Sequence, residues 1–118
     1  MKYLLLVYGE EGILSPEEMQ HCYAESTRVT DELDKRGQFY GASPLQSVDL
    51  ATSVRVREGR RLVTDGPFAE TREQLGGYFL IEATDLDEAI EIAAKIPGAR
   101  WGTVEIRPVV ELAGLPRK

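Results

Sequence analysis

Two short stretches of this chain, Tyr3–Tyr8 and Tyr78–Ala83, are apolar on both of their faces. In the first, Tyr3, Leu5 and Val7 alternate with Leu4, Leu6 and Tyr8. A strand with two apolar sets of side chains belongs in the middle of a sheet that is covered on both sides. Only two other segments carry a helical repeat long enough to cover anything. The chain therefore has two central strands and too few helices for both faces of their sheet.

The first helix has a well-marked start. Ser15 caps it, Pro16 suits its first position and Glu18 completes a capping box. Met19, Cys22, Tyr23, Ser26, Val29, Thr30 and Leu33 then form one stripe, and Gly37 is a natural stop. Residues 38–43 read as a second strand, ended by Pro44. Thr52–Arg57 alternates, with Val54 and Val56 inward and Arg55 and Arg57 outward; Glu58-Gly59 turns the chain and Arg60–Thr64 returns. Thr84 or Asp85 caps a second helix whose Leu86, Ala89, Ile90 and Ala93 face the core, and Pro97-Gly98 ends it. Thr103–Val110 is the last strand.

The order is strand, helix, strand, hairpin, strand, helix, strand. It predicts an α+β fold, a ferredoxin-like split β-α-β sheet with an extra hairpin. Right-handed crossovers put both helices on one face. The other face stays bare, and a second copy packing sheet against sheet about a two-fold axis is the simplest cover. A homodimer is expected.

At 118 residues the chain, 1–118, is expected to be a single domain. One cysteine, Cys22, excludes an internal disulfide and suits a reducing compartment, so a cytoplasmic protein is expected. The net charge is −6, and the only basic cluster is Arg55, Arg57, Arg60 and Arg61 around a turn. That cluster reads as the solvent side of a hairpin, so neither nucleic acid nor membrane is an expected partner.

The densest polar segment is Thr64–Gly77. Its structural reading has Asp65 making an Asx-turn, Pro67 ending strand pairing, and Thr71 with Gln74 capping a single helical turn. Its functional reading brings Asp65, Glu70, Arg72 and Glu73 together at a cleft mouth, with the Arg72 fork holding a carboxylate or phosphate. His21, the only histidine, is the default suspect for acid–base work, yet Glu17, Glu25 and Arg28 around it also suit a solvated side chain. Cys22, within the apolar stripe, reads as a small buried hydrophobe. No phosphate-cradling loop, dinucleotide fingerprint, zinc motif or nucleophile elbow is present, so no cofactor is expected.

The run Asp65-Gly66-Pro67-Phe68-Ala69-Glu70-Thr71-Arg72-Glu73-Gln74-Leu75-Gly76-Gly77-Tyr78 closely resembles the signature of the DGPF-domain proteins of the YCII-related family. Met1–Tyr8, Ser15-Pro16-Glu17-Glu18 and Thr103–Pro108 resemble the same pattern, so the likeness spans nearly the whole chain. The resemblance implies a stand-alone bacterial domain with a dimeric α+β barrel fold. It supplies no reaction. Some wider relatives carry a histidine on the first helix and an aspartate near its end as an active-site pair; here the histidine's place falls near Tyr23, and Asp34 and Asp31 are the approximate matches for the aspartate. Other relatives are linked to transcription initiation. Two functions follow as expectations: a small polar or anionic molecule bound at a cleft by Tyr23, Glu70, Arg72 and Glu73, with acid–base work by Asp65 and His21, or a non-catalytic regulatory module.

Overall fold

The computed structural model describes residues 1–116 and arranges them as strands β1 (Lys2–Gly9), β2 (Phe39–Pro44), β3 (Thr52–Arg57), β4 (Arg60–Asp65), β5 (Gln74–Glu82) and β6 (Thr103–Pro108), with helices α1 (Pro16–Lys35), α2 (Leu86–Lys95) and α3 (Gly98–Trp101). A 3₁₀ turn occupies Val48–Leu50. Four strands make an antiparallel sheet in the order β2-β5-β1-β6, while β3 and β4 pair only with each other. The two stretches that are apolar on both faces are the two central strands. This is a mixed α+β arrangement of ferredoxin-like type. Among the described residues no helix is long and apolar enough to cross a membrane.

Local signals set the ends of α1. Ser15 Oγ accepts the Glu18 N–H at 3.1 Å, and the Glu18 carboxylate accepts the Ser15 N–H at 2.8 Å. At the other end Gly37 takes φ +70°, which lets Gln38 N–H reach the Leu33 carbonyl at 2.8 Å and Gly37 N–H reach that of Asp34 at 3.0 Å. These bonds satisfy carbonyls that the helix leaves open.

The core lies on one face of the sheet. Tyr3 and Leu5 of β1 sit opposite Ile81 and Phe79 of β5, and Val29, Leu33, Ala89, Ile92, Ala93 and Ile96 cover them. Both crossover helices therefore share that face. On the other face Leu4 pairs with Leu80 and Leu6 with Tyr78, with Tyr8 beyond them. Leu4, Leu6, Leu80 and Tyr8 are half-buried, and Tyr78 is 37% exposed. Polar groups frame the patch: Lys2 Nζ lies 4.5 Å from the Tyr40 ring centre, and Tyr40 Oη donates to Glu82 at 2.7 Å. On the neighbouring edge strand Arg107 pairs with Glu105 at 3.3 Å.

Three local expectations are corrected. In α2 the inward set is Ala89, Ile92 and Ala93, continued by Ile96, whereas Leu86 and Ile90 are exposed. The i, i+3, i+4, i+7 pattern through Ile96 outweighs the two larger side chains. The end signal Pro97-Gly98 does follow the end of α2 at Lys95, as expected, and in addition begins a further short helix, α3. Strand β5 starts at Gln74, four residues early, so Thr71–Gln74 forms no helical turn. Val54 and Val56 are exposed, like their arginine neighbours, because the hairpin stands clear of the core.

Candidate functional site

The stripe on α1 divides in two. Its C-terminal part, Val29 and Leu33, is buried against the sheet. Its N-terminal part, Met19, Cys22, Tyr23 and Ser26, stands off from the sheet and walls a cavity of about 830 Å³. Val7, Phe79 and Ala42 form the sheet side; Trp101 and Pro97 close one flank and Leu45 and Leu50 another. Three of the four stripe residues there, Met19, Cys22 and Ser26, are flexible or small, and leave space that larger branched side chains would close. The volume is that of a small-molecule pocket, typically ~300–1,000 Å³.

A polar rim is knit together by named bonds. The Glu11 carboxylate accepts Ser47 Oγ–H at 2.9 Å and Val48 N–H at 2.8 Å, which fixes the 3₁₀ turn. Glu11 N–H reaches Gln74 Oε1 at 3.3 Å, and Gln74 Nε2 donates to the Thr71 carbonyl at 3.0 Å. Arg72 Nε lies 3.6 Å from Glu10, a largely exposed pair worth ~0–1 kcal/mol. The lining includes the acids Glu10 and Glu11 and no lysine, arginine or histidine. Among the described residues no group of three histidine, cysteine, aspartate or glutamate side chains is placed to hold a metal ion.

A bidentate ion pair ties the helical walls together. Both terminal nitrogens of Arg100, beside Trp101, donate to the Glu25 carboxylate at 2.9 Å. The Arg100 hydrogen bonds, helped by its charge, hold the Glu25 carboxyl below the usual glutamate range. A depressed carboxyl stabilises the fold above its unfolded value, and that contribution is lost as pH falls through the folded one. Glu25→Gln should therefore lower the melting temperature near neutrality. The gap from wild type should narrow as pH drops below the ordinary glutamate value of ~4.3, as thermal melts across an acid series would show.

Of the residues singled out by sequence, Tyr23 lies on the cavity wall. Cys22 is there too, half-buried and facing the same space rather than sealed in the core. His21 is exposed on α1 and outside the lining, as are Asp31 and Asp34. Asp65 is exposed at the end of β4. The corner there is closed by Gly66 N–H to the Ala51 carbonyl at 2.7 Å and Ser53 Oγ–H to the Gly66 carbonyl at 2.8 Å, and not by an Asx-turn. Glu70 and Arg72 are exposed, and Glu73 accepts Thr103 Oγ–H at 2.8 Å. None of these four acidic and basic loop residues lines the cavity. The loop touches the rim through Gln74, and through Arg72 at Glu10. Sequence gives no pointer to Trp101 or Ser47 beyond a lone tryptophan following Pro97-Gly98, and it marks Gln74 only as a cap for Thr71.

The YCII-related domain matches residues 1–113 of this chain. An uncharacterised protein of Rhizobium meliloti (strain 1021) is 33% identical over 114 residues, covering 92% of each chain.

Proposed function

The chain belongs to the YCII-related domain family, and from that premise we propose that it is a DGPF-type, homodimeric small-molecule-binding protein whose ligand lies between α1 and the sheet. One observation carries the reading: an ~830 Å³ cavity walled largely by apolar side chains, Tyr23, Trp101, Phe79, Met19 and Val7 among them. Such walls favour a flat apolar body. The only formal charges in the lining are those of Glu10 and Glu11, so a neutral or cationic ligand suits it better than an anion. Arg72, the natural anion fork, is instead turned to Glu10. Binding is favoured over turnover, since Asp65 and His21 stand outside the lining.

The second sheet face supports the homodimer. Leu4, Leu6, Tyr8, Tyr78 and Leu80 form an apolar patch that no helix covers, and the same face of another copy matches it in size and character.

Trp101 is the sole tryptophan and lies in the cavity wall, so it reports on occupancy. Compounds that raise the melting temperature in a small-molecule screen should change its emission. Tyr23→Ala should weaken their binding about tenfold, ~1.4 kcal/mol, while the protein stays folded. Stabilising compounds that leave Trp101 emission and the Tyr23→Ala affinity unchanged would place binding elsewhere.

A further inference from the structure

The β3–β4 hairpin is the part of the molecule least explained by its own fold. Of its strand residues only Ser53 is even half-buried. At its base Gly66 N–H donates to the Ala51 carbonyl and Ser53 Oγ–H to the Gly66 carbonyl, bonds that join the hairpin's own two ends. The radius of gyration, 16.0 Å, exceeds the about 13–14 Å of a compact chain this long. An isolated two-stranded ribbon is marginal in water, and both of its edges are open.

Its two faces differ. Pairing of Val54 with Val63 and Val56 with Arg61 puts three valines on one face, each more than half exposed. Pairing of Arg55 with Leu62 and Arg57 with Arg60 puts three arginines on the other, where Phe68 stacks 4.9 Å from the Arg55 guanidinium. Residues 52–65 hold four arginines against Glu58 and Asp65, a net +2, so the rest of the chain carries −8 of the overall −6. The arm and the body are opposite in sign.

We infer that the β3–β4 hairpin is an arm that docks on the acidic body of the second copy of this chain, its arginines meeting that charge and its valines leaving water. The inference rests on the homodimer proposed above. A second copy answers both faces of the arm at once. A nucleic acid would meet the arginines but leave the valines bare, and would be repelled by the body.

The test is sedimentation velocity of the full chain over a concentration series, comparing wild type with Arg55→Glu/Arg57→Glu/Arg60→Glu and with Val54→Ser/Val56→Ser. All five positions are exposed, and circular dichroism checks that each variant is folded. Each variant is expected to raise the dimer dissociation constant at least tenfold. Raising salt from ~0.05 to ~0.5 M should weaken the wild-type dimer and have little effect on the arginine variant. A wild-type dimer with both variants equally tight would overturn the arm while leaving the dimer standing. A wild type that is monomeric throughout would overturn the dimer and the arm with it. Unchanged dimers, with heparin retaining wild type but not the arginine variant, would overturn the inference in favour of a polyanion partner.

Discussion

Replacing Leu6 with aspartate is expected to give a folded chain that sediments near 13.2 kDa, while the proposed homodimer has wild type sedimenting at about twice that mass. Leu6 lies on the uncovered sheet face, between Tyr78 on one neighbouring strand and Glu105 on the other. In the single subunit its side chain reaches water, so a carboxylate there leaves the helix-side core intact. Across a sheet-to-sheet interface the same carboxylate would be buried without a partner, at a cost of ~3–5 kcal/mol. At 1.4 kcal/mol per decade that is more than a hundredfold in dissociation constant. Leu5, one residue earlier, makes the control. It is fully buried on the helix side, so Leu5→Asp should unfold the chain instead of dividing the dimer. An unaltered dimer mass for Leu6→Asp would remove the sheet face from the interface.

Gly102→Ala should be among the most damaging single-atom additions available to this chain. A Cβ at that position would stand 2.0 Å from the Tyr8 carbonyl oxygen and 3.0 Å from Gly9 Cα. Both are backbone at the end of a central strand, so no side-chain rotation relieves the clash. Either α3 or the end of β1 must move, and both border the cavity. A loss of about 3 kcal/mol or more is expected, at the severe end for point changes. That corresponds to a fall in melting temperature on the order of 10 °C. Gly98→Ala should be milder, since its new Cβ meets the Val7 Cγ1 methyl at 2.5 Å and that side chain can turn. Equal melting temperatures for the two variants would show that α3 does not bear on β1 as closely as this.

The central strands were legible because their period-two pattern is apolar twice over, a signal that depends on no distant contact. So was the start of α1, where Ser15, Pro16 and Glu18 act within four residues of one another. The phase of α2 was harder. Leu86 and Ile90 are larger than the alanines that face the core, and only the continuation to Ile96 reveals the inward side. Val54 and Val56 form a strand, as their alternation predicts, but do not face inward, because alternation reports a strand without saying what it packs on. The cavity was hidden for a related reason. Met19, Cys22, Tyr23 and Ser26 share a stripe with Val29 and Leu33, and whether a stripe seals or stands off depends on how the whole helix lies across the sheet. The loop signature drew attention to Asp65, Glu70, Arg72 and Glu73. In the fold these side chains lie outside the cavity lining, and Gln74 at the loop's end is the residue that reaches it.

The choice between cavity and loop can be made in one nitrogen-15 correlation spectrum, recorded on the wild-type protein with and without a stabilising compound from the screen. The expected result is a shift of the Trp101 indole N–H and of the Gly76 and Gly77 amides, all from residues that line the cavity, with the amides of Asp65 to Arg72 little changed. Shifts confined to Asp65–Arg72, with the Trp101 indole unmoved, would contradict a ligand site between α1 and the sheet.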